Sequence, residues 1–150
     1  MASASSKTTH ARILIVDDNK LGLLARTSVL EELGHIVVTS STPQEALELC
    51  SKEHFDVAIT DYKMPKMNGI ELIAKLRKVA PHTSVILISG FTDAMGFNEQ
   101  NTGADVVLQK SSNEVNALIR AVNRLLRKPA PKKKPGASQP PPKSEKRKSS

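Results

Sequence analysis

The sequence predicts an α/β fold, a doubly wound (βα)5 domain whose five-stranded parallel sheet is covered by helices on both faces. Two observations carry the prediction. Short apolar runs rich in β-branched residues recur five times between residues 13 and 109, and a segment with helical signals follows each of them. Uninterrupted apolar strands are buried on both sides, and parallel sheets achieve this by returning the chain through helices packed on either face.

Ile13-Leu14-Ile15-Val16 is the first run, and it stops abruptly at Asp17-Asp18. The helix after it places Leu23, Leu30 and Leu33 on one face, with Gly34 as the stop. Residues 36–39 read as the second strand. Thr42-Pro43-Gln44-Glu45 is a capping box with Pro at the first helical position, and Ala46, Leu49 and Cys50 form the inward stripe of that helix. The third strand, 57–60, ends at Asp61. A turn-rich stretch, Met64-Pro65-Lys66-Met67-Asn68-Gly69, leads into a helix with Leu72, Ile73, Leu76 and Ala80 inward. Residues 85–89 are the fourth strand. Residues 92–102 form the weakest helical segment, because Gly96, Asn98 and Asn101 have low helix propensity. The fifth strand spans 104–109. Ser111 and Glu114 box the last helix, whose Val115, Leu118, Ile119, Val122, Leu125 and Leu126 keep the 3.6-residue period until Pro129 ends it.

Composition changes at that proline. Residues 129–150 hold six of the nine prolines and no aromatic or branched aliphatic residue, so they cannot bury enough apolar area to offset the entropy of ordering them. Three units follow: a flexible N-terminus (1–10), one domain (11–128) and a disordered Pro/Lys-rich tail (129–150). Seven basic residues and the single acid Glu145 give the tail +6 of the formal +7, which leaves +1 for residues 1–128. The basic balance therefore describes the tail. It reads first as a solubilising extension, and its charge also suits weak contact with nucleic acid or an acidic protein. It has no aromatics for base stacking. One cysteine excludes an intrachain disulfide, and the absence of a secretory leader or a membrane span points to a cytoplasmic protein.

Functional residues of such folds gather at the carboxyl ends of the strands. Asp17 and Asp18 follow strand one, Asp61 follows strand three, Ser89 closes strand four and Lys110 follows strand five. Each has a bland reading, since Asp caps helices well and a lone Lys is usually solvated. Together they make a chemical set. Adjacent carboxylates repel, and a hard divalent cation such as Mg²⁺ relieves the repulsion. One carboxylate can then attack phosphorus to give an acyl phosphate, with Lys110 and Ser89 meeting the charge on the transferred group.

Over residues 11–128 the chain resembles the response-regulator receiver domains of two-component signalling. Ile13–Val16 with Asp17-Asp18, the segment Asp61-Tyr62-Lys63-Met64-Pro65-Lys66-Met67-Asn68-Gly69, Ser89-Gly90 and Lys110 carry the resemblance. It implies a flavodoxin-like strand order and a phosphoacceptor at Asp61. It further implies Mg²⁺ held by the side chains of Asp18 and Asp61, by the backbone carbonyl of Lys63 and by Asp17 largely through water. Ser89 and Lys110 would bind the phosphoryl group, Pro65 and Gly69 would shape the adjoining loop, and Phe91 would modulate water access. Two positions depart from the family pattern. Val107 stands where an aromatic residue usually rotates inward, and Ser111 follows Lys110 where proline, often after a cis bond, is usual.

The resemblance implies a single-domain response regulator, not an enzyme. It would take phosphate from a histidine kinase or phosphotransfer protein and signal by contact with a downstream protein. Order in residues 92–102, rather than an aromatic flip, would carry the signal. Three rivals stand beside it: a phosphorylation-independent docking domain, a nucleic-acid-associated protein acting through its tail, and a Mg²⁺-dependent phosphohydrolase. The last needs a second acid two residues after its nucleophile, and that position is Lys63.

Overall fold

The computed structural model describes residues 10–90 and 95–127. Phe91, the tail 129–150 and all of the N-terminal segment except His10 lie outside the described residues. Five strands, β1 (Arg12–Val16), β2 (Ile36–Ser40), β3 (Val57–Asp61), β4 (Ser84–Ser89) and β5 (Val106–Gln109), form one sheet in the order β2-β1-β3-β4-β5. Every pairing is parallel. The helices include α1 (Lys20–Glu32), α2 (Pro43–Lys52), α3 (Gly69–Val79), α4 (Glu99–Thr102) and α5 (Glu114–Arg127).

Alternate strand residues feed two cores, as the two-residue pleat requires. Ile13, Ile15, Ile59, Ile86 and Ile88 pack with Leu30 of α1 and Leu118, Val122 and Leu125 of α5. Leu14, Val16, Ala58, Val85 and Leu87 pack with Ala46 of α2 and Leu72, Ile73 and Leu76 of α3, with Phe55 completing that side. The doubly wound α/β architecture expected from the sequence is thus observed, in the flavodoxin-like order.

Local chemistry sets the helix ends. Asn19 caps α1 by accepting from the N–H groups of Leu21 and Gly22, and Gly34 follows α1 with φ of 96°, a conformation that favours glycine. Asn68 and Glu71 exchange hydrogen bonds in a full capping box that starts α3.

Several elements differ in detail from the sequence reading. Leu33 follows the end of α1 and is exposed. Thr42 does cap α2 through the Glu45 N–H, but the Glu45 side chain meets the Ser40 hydroxyl instead of closing a box. In the weak segment, whose residues 92–94 lie outside the described residues, α4 is a single turn, and Asn98 and Asn101 cap it: each accepts the other's backbone N–H. β5 starts at Val106, two residues later than expected. Among the described residues no helix is long and apolar enough to cross a membrane.

Candidate functional site

Strand register brings the polar residues to one edge of the sheet. Val16 pairs with Thr60, so the next residues, Asp17 and Asp61, emerge side by side. Asp61 pairs with Ile88, and Ser89 pairs with Gln109, which places Ser89 and Lys110 at the same end. The Lys110 N–H donates to the Ser89 carbonyl at 3.0 Å. Asp17, Asp61 and Ser89 are buried, whereas Asp18 is exposed.

One carboxylate oxygen from each of Asp17, Asp18 and Asp61 lies within 4.8 Å of the others. That spacing suits one hard cation bridged by carboxylates and water, so the donor set fits Mg²⁺. Lys110 Nζ stands 2.8 Å from Asp61 Oδ1. The Lys110 ammonium thus meets this buried carboxylate oxygen at charge-assisted distance. Burial holds the Asp61 carboxyl above the usual carboxylate range; Lys110 opposes that rise and Asp17 adds to it.

The loop after β3 has little slack. The Gly69 N–H donates to the Tyr62 carbonyl at 2.7 Å, and a Cβ on Gly69 would fall 2.4 Å from the Asp61 carbonyl oxygen and 2.8 Å from Leu87. Only glycine fits there. Lys66 takes a positive φ of 74° within the same turn, and Met64 is buried beneath it. Lys63 is exposed on the rim.

Both departures from the family pattern lie among the described residues. Val107 is half-buried against the α2–α3 core, and its N–H donates to Glu99 of α4 at 3.3 Å. The Lys110–Ser111 peptide is trans, and Lys110 still reaches Asp61.

Sequence reasoning missed two features. Tyr62, next to Asp61, lies against Phe97 with ring centroids 4.8 Å apart at 60°. Arg26 of α1 is buried and bridges Asp17 at 2.8 Å and Glu114 at 2.7 Å, so the Glu114 carboxylate expected to box α5 is engaged elsewhere. The two acids outweigh the burial of the guanidinium and raise its pKa further. A signal for Arg26 existed: it lies three residues after Leu23 and four before Leu30, on the inward face of the helix.

Residues 13–123 match the family model of the response regulator receiver domain. The chain belongs to that family. It is 38% identical over 103 residues to the virulence sensor protein BvgS of Bordetella bronchiseptica, covering 65% of this chain and 8% of that protein. Among solved structures, a CheY-like receiver domain protein from Methanospirillum hungatei is 33% identical with a TM-score of 0.68, covering 78% of this chain and 94% of that one. The response regulator TrrA from Thermotoga maritima, solved with Mg²⁺ and BeF, is 28% identical with a TM-score of 0.68, covering 76% and 97%. The chain spans half or less of the length of the curated relatives it matches. Receiver domains are phosphoacceptors in two-component signalling and generally not catalysts.

Proposed function

We propose that Asp61 is the phosphoacceptor and that Mg²⁺ sits beside it. Asp18, Asp61 and the Lys63 carbonyl would be direct ligands, and Asp17 would act through water. The convergence of three carboxylates within 4.8 Å, one of them paired with Lys110, supports this reading. Asp61 oxygen attacks phosphorus as the bond from phosphorus to the donor's imidazole nitrogen breaks, and the departing imidazole takes up a proton. A bound Mg²⁺ would supply charge neutralisation there; Lys110 would pair with one phosphoryl oxygen, and the buried Ser89 hydroxyl would donate to another. Phe91 and Val107 modulate the site and its readout.

The donor is a histidine kinase or phosphotransfer protein, in keeping with the likeness to a sensor protein and to a probable histidine kinase from rice. A small phosphodonor also serves, through self-phosphorylation. Residues 11–128 act as the receiver in the cytoplasm, and the changed surface engages a downstream protein. The basic tail adds a weak second contact.

Incubation with acetyl phosphate and Mg²⁺, followed by intact mass, tests the reading. A phosphate-sized gain that is acid-stable, base-labile and absent in Asp61→Asn is expected. No gain with any donor would favour the phosphorylation-independent docking domain. Deleting 129–150 and measuring salt-dependent DNA binding separates the tail's contribution.

A further inference from the structure

An arginine buried on the inward face of a helix needs its charge met, and Arg26 meets it with two carboxylates. Nη1 donates to Asp17 Oδ2 at 2.8 Å and Nε donates to Glu114 Oε2 at 2.7 Å, while the side chain is 4% exposed. The other Asp17 oxygen accepts the Asn19 N–H at 2.9 Å. Space for the bridge comes from Gly22, one turn earlier. A Cβ there would lie 2.8 Å from Asp17 Oδ2 and 3.6 Å from Arg26 Nη1. The helix accepts a poor former at that position, and the gap admits the ion pair.

Asp17 therefore belongs to two assemblies at once. It is one of the three acids that converge at the strand ends, and it is one arm of a bridge whose other arm is the first residue of α5. A divalent cation among the acids competes with the guanidinium for the same carboxylate charge. Glu114 pulls the guanidinium the opposite way.

We propose that Arg26 is a positioning residue of the acid cluster, orienting Asp17, setting how tightly the cluster takes a divalent cation, and tying that affinity to the start of α5 through Glu114. The inference rests on the reading of the cluster as a Mg²⁺ site. A forked guanidinium can hold two carboxylates in fixed directions at once, which an ammonium cannot. Withdrawing the arginine charge leaves Asp17 to the cation. Withdrawing the glutamate charge lets the guanidinium lean wholly on Asp17. The two changes act with opposite signs.

Calorimetric titration of the full chain with Mg²⁺ alone, joined to backbone amide shifts at residues 114–118, tests the coupling. Arg26→Met is expected to bind Mg²⁺ about tenfold tighter and Glu114→Gln about threefold weaker, the like charge near a cation site being worth that order of effect at partly screened distances. The Glu114→Gln effect should vanish in the Arg26→Met background, as coupled neighbours require. Mg²⁺ should shift the 114–118 amides in the wild type and leave them unmoved in Arg26→Met. A merely structural arginine would weaken binding in both single variants, and that result, additive effects or an unmoved affinity in Arg26→Met overturns the proposal. Should Arg26→Met not fold, Arg26→Lys decides, because it keeps the charge and loses the fork. Loss of the amide response then supports the proposal, and an unchanged response overturns it. A wild type that takes up no Mg²⁺ overturns the metal reading itself, whereas binding with additive variants overturns this inference alone.

Discussion

The centre of the sheet and its β5 edge are built to different standards. On the β1–β3 side every residue of β3 is buried, Asp17 and Asp61 are buried at the strand ends, and Arg26 clamps Asp17 from α1. On the β4–β5 side, β5 runs from buried to exposed in four residues, α4 is a single turn with Thr102 as its buried residue, and the Lys110 side chain is 41% exposed. Segments with little buried apolar area open at low free-energy cost. The difference is one of anchoring: the acids that converge sit at the ends of buried strands, while β5 and α4 beside them are thinly anchored.

Core truncation gives the largest contrast. Ile59→Ala in β3 should cost about 3–4 kcal/mol by denaturant unfolding, from lost burial plus the cavity left behind. Val107→Ala in β5, where the side chain is half-buried, should cost about 1 kcal/mol. Equal losses at the two positions would break the comparison.

Next in size is a gain. The native Asp61 carboxyl keeps its proton to higher pH than the unfolded chain does, because burial disfavours its charge. Between the ordinary carboxylate value and the raised one the native state binds more protons, so stability falls as pH rises through that window. Asp61→Asn removes that titration and should therefore be more stable than the wild type above the window, the gap opening as pH rises through it. Saturating Mg²⁺ should close the gap by stabilising the wild type. A variant less stable than the wild type at pH 7 without Mg²⁺ would refute this account of the site.

A local effect sharpens the other side. Phe97→Ala, which removes the ring against Tyr62, should speed amide exchange at residues 98–103 while moving the global unfolding midpoint little. Protection there that follows only global unfolding would show that the two sides open together. The smallest effect is expected at His35, whose Nδ1 accepts the Ala11 N–H at 3.1 Å and so must be unprotonated. Burial lowers its pKa, His10 adds to the lowering and Asp56 opposes it. The unfolded chain takes up the proton first, so stability is lost as pH falls below the ordinary histidine value. His35→Gln should flatten that slope.

Legibility in the sequence followed the same divide. The β1 and β3 runs are apolar without a break and end in acids, so burial and chemistry are both written in consecutive residues. The single turn of α4 was harder to read, because Asn98 and Asn101 have low propensity inside a helix yet cap one well. The Arg26 bridge was hidden for another reason. Its partners lie 9 and 88 residues away, and local rules assigned Glu114 to a nearer donor. A buried cation outbids an exposed backbone N–H, because leaving it unpaired costs far more.

Cys50 carries a practical consequence. It is the chain's one cysteine, buried on α2, and burial pushes its thiol up to about 11. Burial and the raised pKa together keep the thiolate scarce at neutral pH, so slow labelling by maleimide reagents is expected there. The protein is a quiet background for site-directed labelling. A cysteine placed at the exposed Met95 would report on the thinly anchored side with no need to remove the native thiol first.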